Sequence, residues 1–187
     1  MKVTREAAAQ NRERIVAAAA QLFRERGFAG IGVADLMREA GLTHGGFYGH
    51  FGSKEDLIAE ASGRALTRTL ELWSKAAENA PHDPLAAIAR VYLTTRHRDH
   101  PGRGCLIAAL GPEVARQGPA LRDTVTRYLH SGFDLLTRCI TGKPSARRQK
   151  AIATYATLVG ALILARAVDD RALSKEILDA GLASITK

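Results

Sequence analysis

The 187-residue chain is short of several things, and each shortage removes a class of protein. It holds only two cysteines, Cys105 and Cys139, which excludes a secreted scaffold stapled by disulfides. No proline precedes Pro81, so nothing upstream breaks a helix for want of an amide. Alternating runs of β-branched residues are missing, which argues against a sheet. The longest apolar stretch, residues 158–165, is far shorter than a membrane span and is closed by Arg166, so no membrane partner is expected. No apolar segment follows the charged opening Met1-Lys2-Val3-Thr4-Arg5-Glu6, so no secretory signal is expected and the cytoplasm is the expected location.

Acidic residues are also scarce, 19 against 27 Lys and Arg, for a net charge of +8. That balance invites a nucleic-acid partner, although its distribution is uneven. Residues 1–60 hold eight basic and eight acidic side chains, so the whole excess lies further on, clustered in residues 90–103 and 138–150. There it suits non-specific attraction to DNA or to an anionic effector. The histidines have no metal-ligand spacing and no phosphate-binding glycine loop follows a strand, so neither metal nor cofactor nor enzyme chemistry is expected.

What the chain does have is apolar residues at helical spacing. Ile15, Ala18, Ala19, Leu22 and Phe23 form one stripe, which predicts a helix over residues 7–26 with Gly27 as a left-handed cap. Short helices are expected over 33–40, ended by Gly41, and over 43–51, capped by the Thr43 hydroxyl. Ser53 caps a long helix towards Asn79, with Glu55 and Asp56 complementing its dipole. Further helices are expected at 85–98, 105–116 (interrupted at Gly111-Pro112), 119–141, 145–168 and 174–185, the last capped by Ser174. The fold class is therefore all-α, with about nine helices. Two short helices about a glycine turn, covered by Leu22 and Phe23 of the first, follow helix-turn-helix logic. Five of the ten aromatic residues lie between Phe23 and Phe51, enough to fill the core of so small a unit.

At Gly27-Phe28, Val33-Ala34-Asp35-Leu36, Ala40-Gly41-Leu42-Thr43, Phe47-Tyr48-Gly49-His50-Phe51 and Ser53-Lys54-Glu55-Asp56-Leu57, the chain resembles the TetR family of bacterial transcriptional regulators. The match covers roughly the first third; the remainder resembles the family in architecture only. The resemblance implies a DNA-binding helix-turn-helix domain over 1–52, a linking helix from 53, and a ligand-binding and dimerisation domain over 53–187. It implies that Thr43, Tyr48, His50 and Lys54 touch phosphate, while His44, Gly46 and Gly49 face the groove, with Gly45 in the same set. Tyr48 and His50 also read as core or capping residues, and Lys54 as a solvated charge. Family members usually carry Ser or Thr where this chain has Gly32, which puts one phosphate contact in doubt. Each glycine at 45, 46 and 49 costs about 1 kcal/mol of helicity, and few side chains remain for hydrogen-bonded base readout. Thymine methyls and DNA shape would then carry much of the specificity.

The partners implied are a double-stranded, near-palindromic operator, a second copy of the chain and a small-molecule inducer. Ala153, Ala156, Thr157, Gly160, Ala161 and Leu164, then Ala180, Gly181 and Ser184, give the last two long helices a small-residue face for pairing with a second copy. Trp73, Tyr92, Phe133 and Tyr155, with Tyr128, either line a ligand pocket or are core aromatics. Cys105 follows Pro101-Gly102-Arg103-Gly104 at a helix start, near Arg96, His97, Arg98 and His100. It reads either as a thiol sensor of oxidants or electrophiles or as a small buried apolar residue. Cys139 reads as inert core. A helical small-molecule-binding or redox enzyme carrying a helix-turn-helix is the competing class.

Overall fold

Thr4 opens the first helix. Its hydroxyl accepts from the Ala7 amide at 3.2 Å, so α1 (Arg5–Arg26) starts two residues earlier than the apolar stripe suggests. The computed structural model describes residues 4–186. Gly27 takes the expected positive φ of 81°, but its ψ of 164° is extended, so the chain leaves the helix without a left-handed turn. α2 (Val33–Glu39) ends at Ala40, and Gly41 turns the chain with φ 68°. A 3-10 helix (His44–Gly49) follows, and then α3 (Lys54–Glu78), capped by Ser53 through the Asp56 amide at 3.1 Å.

The single helix expected over 85–98 is two. α4 (Pro84–Tyr92) stops at Leu93, and Thr94 caps α5 (Thr95–Asp99) by accepting from the His97 amide. The His97 ring bonds back to the Tyr92 carbonyl across the break. A 3-10 turn (Pro101–Arg103) leads into α6 (Leu106–Val114), which runs unbroken through Pro112 despite the expected interruption. α7 (Pro119–Arg138) and α8 (Pro144–Ala167) both begin with proline, whose missing amide is no loss in a first turn. α9 (Arg171–Thr186) is capped by Asp170, whose carboxylate accepts from the Ala172 and Leu173 amides. Ser174 is not the cap: it lies buried, its hydroxyl donating to the Ala165 carbonyl at 2.6 Å. No strand occurs among the described residues, so the all-α expectation holds.

α3 is the spine, packing against α1 at its start and against α4, α6 and α7 further along. Around its first turns Ile15, Phe23, Leu36, Met37, Phe47 and Leu57 are almost wholly buried. Around its later turns the core is Trp73, Ile88, Leu110, Leu136, Leu158 and Leu162. Each such side chain contributes about 1.5–3 kcal/mol by leaving water. By length and composition α8 could cross a membrane, which its interrupted apolar stretch does not suggest; here it packs against α6, α7 and α9. Ala161 and Gly181 serve that packing: a Cβ on Gly181 would come within 2.8 Å of the Ala161 methyl. These two small residues therefore meet each other within the chain. Ala153, Ala156 and Leu164 point outward.

Candidate nucleic-acid interface

The glycine turn at Gly41 sets α2 against the segment that follows. The Gly41 and Leu42 amides donate to Arg38 and Met37 carbonyls at 2.9 Å, closing the end of α2. Residues 44–49 then wind as a 3-10 helix, not the α-helix expected over 43–51. Three glycines in six residues remove the side-chain contacts that favour the wider helix, and short segments tolerate tighter winding. Phe47 and Phe51 are 1% and 3% exposed and stack at 5.6 Å, and these two rings hold the segment down.

The opposite side of that segment is open. Tyr48 is 70% exposed and stands edge-on to Phe47 at 5.3 Å, so its hydroxyl reaches into solvent. His44 is exposed and His50 half-buried. A Cβ on Gly45 or Gly49 would meet nothing within 4 Å, whereas one on Gly46 would touch the Met37 side chain at 3.6 Å. Gly46 is therefore turned towards α2, and Gly45 takes the outward place expected for it. Thr43 occupies the cap position, but its hydroxyl makes no capping bond; the Gly46 amide donates instead to the Thr43 carbonyl. That hydroxyl is left available. At Gly32, the cap of α2, there is likewise no side-chain bond.

Two basic side chains fix the segment, and their jobs are tertiary. The Lys54 ammonium donates to the Phe28 and Ile31 carbonyls at 2.7 Å each, tying the start of α3 to the loop before α2. Two of its three protons are thus committed within the chain. Arg12 was not singled out by sequence. Its guanidinium lies 4.1 Å from the Phe51 ring centroid and donates to the His50 carbonyl and the Glu60 carboxylate, joining α1, the 3-10 segment and α3. Arginine 39 residues before Phe51 gives no local signal of this contact.

The family model described as bacterial regulatory proteins, tetR family, matches residues 15–61, the stretch just described. Over that stretch, about a quarter of the chain, the sequence carries the TetR-family helix-turn-helix pattern. The HTH-type transcriptional repressor DhaR of Mycobacterium sp. strain GP1 is 26% identical over 69% of this chain. The regulator TtgR of Pseudomonas putida is 34% identical over 48%. These matches span 65% and 43% of those two proteins, so the chain covers less than two thirds of either. The repressor NemR of Escherichia coli K12 is 27% identical over 83% of each chain. Among solved structures, a TetR regulator from Chloroflexus aurantiacus superposes with TM-score 0.80 at 26% identity, covering 97% of this chain and 94% of that one. Reduced E. coli NemR superposes with TM-score 0.79 at 24% identity, covering 94% and 96%. The TetR fold thus extends well beyond the matched quarter.

The aromatic residues expected at a ligand site do come together, as packed core. Trp73 meets Tyr92 at 5.7 Å and Tyr155 at 5.5 Å, and Phe133 meets Tyr155 at 5.4 Å. Burial raises the phenol pKa values of Tyr92, Tyr128 and Tyr155; the Tyr155 hydroxyl donates to that of Tyr128 at 3.5 Å, while the Tyr92 hydroxyl has no partner. Cys105 lies beside them, 1% exposed, as the cap of α6. The cations around it differ from those expected. His97 is no cation: its Nε2 accepts from the Cys105 amide at 2.9 Å, and burial lowers its pKa to about 4. Arg98 is turned to Asp99 and Ser174. The guanidiniums in electrostatic reach of the thiol are Arg24 and Arg166, from helices far apart in sequence. Cys139 is half-buried, its thiol donating to the Leu135 carbonyl, and burial raises its pKa.

Proposed function

We propose that the chain is a sequence-specific DNA-binding transcriptional regulator, a repressor, acting in the cytoplasm as a homodimer on a near-palindromic operator. The observation that carries this is the 3-10 segment itself. Its inner face is locked by Phe47 and Phe51, and its outer face offers Tyr48, His44 and two bare glycines. Such a face fits a major groove closely and brings little hydrogen-bonding side chain to the bases. In this reading Thr43, Tyr48, His50 and the remaining Lys54 proton bind phosphate, while His44, Gly45 and Gly49 lie against base edges, with Gly46 behind them. Phosphate contacts position the segment; groove contacts and DNA shape supply sequence preference.

Residues 1–52 act as the reading head, α3 links it, and the rest binds effector and partner copy. The outward apolar side chains Ile152, Ile163 and Leu164 of α8, with Leu173 of α9, support pairing of these helices across a two-fold axis. Pairing sets two reading segments about one DNA turn apart. Release follows when a small molecule or a thiol-reactive inducer prefers the DNA-incompetent state, since equal affinity for both states would shift nothing. The aromatic group of Trp73, Tyr92, Phe133 and Tyr155 is the proposed binding region, and Cys105 the proposed thiol. NemR, a repressor whose solved structure is its reduced form, lends the thiol reading support.

A gel shift against DNA upstream of the chain's own gene tests the function. Specific binding with steep salt dependence is expected, and peroxide should release wild-type protein but not Cys105→Ser. Absence of any specific shift overturns the regulator reading. Equal release of the Cys105→Ser variant overturns the thiol reading alone.

A further inference from the structure

The head is joined to the helical body at two points other than α3. Near the end of α1, Arg24 is only 9% exposed. Its Nε donates to the Gly102 carbonyl at 3.0 Å, its Nη2 donates to the same oxygen, and its Nη1 has no partner. Burial lowers its pKa to about 10, so it remains a cation at neutral pH. A buried cation resting on one carbonyl is costly to place. At the second point the Glu113 carboxylate, on α6, accepts from the Phe28 amide at 2.8 Å and lies over Gly27. Both contacts grip the same end of α1.

The loop that Arg24 holds is packed on both sides. A side chain at Gly102 would collide with the Glu25 carboxylate, and one at Gly104 with the His97 imidazole. The stretch 101–104 is therefore a spacer of bare backbone between α1 and His97, and His97 accepts from the Cys105 amide. At its other end α1 carries Arg12, which is bonded to the 3-10 segment. α1 thus touches the spacer through Arg24 and the end of the 3-10 segment through Arg12.

We infer that Arg24 and Glu113 are positioning residues that set the angle of the reading head on the body, and that the 101–104 spacer carries a change at His97 or Cys105 to α1. This rests on the DNA-reading function proposed above. Coupling of this kind is reciprocal: if the spacer influences DNA binding, bound DNA must steady the spacer.

Hydrogen–deuterium exchange of the Cys105 amide reads that steadying, because it requires opening of the bond to His97. The probe is a duplex selected from a random pool for binding to wild-type protein. Bound duplex should slow exchange about tenfold in the wild type, within the usual range of coupling. In Arg24→Met and Glu113→Ala, each still saturated with duplex, slowing should fall below about twofold. Arg24→Lys, which keeps one donor, should restore part of it. Should Arg24→Met fail to fold, Glu113→Ala decides alone. Full protection in the Arg24 and Glu113 variants overturns the inference and leaves the regulator reading intact. A wild type that selects no duplex overturns the regulator reading itself.

Discussion

Gly49 and Tyr48 sit side by side on the exposed face, one with nothing near it and the other mostly in solvent. Gly49→Leu should therefore leave the thermal midpoint unchanged while operator binding is lost or its sequence preference altered. Unchanged affinity and preference would remove Gly49 from the groove. Tyr48→Phe should also fold normally, and should weaken binding evenly across sequences if its hydroxyl meets phosphate. His97 gives a separate handle through pH. Its folded pKa of about 4 lies below the 6.5 of an unburied histidine. As pH falls through that window the unfolded chain gains a proton that the folded chain refuses. The contribution is complete above pH 6.5 and lost progressively towards pH 4, about 3 kcal/mol at 1.36 kcal/mol per pKa unit. Urea titrations should show the loss in wild type, and a smaller loss in His97→Phe. Identical pH profiles for the two proteins would show that His97 is not held neutral.

Among the elements, the glycine-aromatic pattern from Gly27 to Phe51 placed the helix-turn-helix without ambiguity, because its turn residues and its core residues are local neighbours. The winding of its last element was not legible. A run of His-Gly-Gly-Phe-Tyr-Gly fits either helix type, because three glycines remove the side-chain contacts that would favour the wider one. The break at Leu93 escaped as well; the His97 ring bonds back to Tyr92 across it. Ser174 looked like a cap by residue type, yet Asp170 earlier in the chain already satisfies the first amides of α9. The aromatic cluster was legible as a set of residues; its assembly from α3, α4, α7 and α8 needed coordinates. If Phe47 holds the reading segment down, Phe47→Ala should cost about 3–5 kcal/mol. The loss should appear as melting of the head, measured by exchange of residues 33–51, before the body melts. Simultaneous melting of both would show that the head is not a separate cooperative unit.

For the whole molecule, charge proves a poor guide to the site. Residues 1–60, the head with the first turns of α3, are electrically balanced, and the proposed contacts are placed individually; the basic excess lies beyond residue 60. A lone head buries too little DNA surface for tight specific binding, so the proposed function calls on the outward face of α8 as its pairing surface. Leu164 is 57% exposed there. Leu164→Glu should yield a monomer by sedimentation and weaken operator binding by at least about tenfold. A variant that remains dimeric would move the pairing surface elsewhere.

The most direct measurement is titration of the chain against its selected duplex and a scrambled duplex over a range of salt concentrations. Two chains should bind one near-palindromic duplex, far more tightly than the scrambled one, with affinity falling steeply as salt rises. Equal affinity for both duplexes, or no binding to either, would contradict the assignment of a sequence-specific regulator.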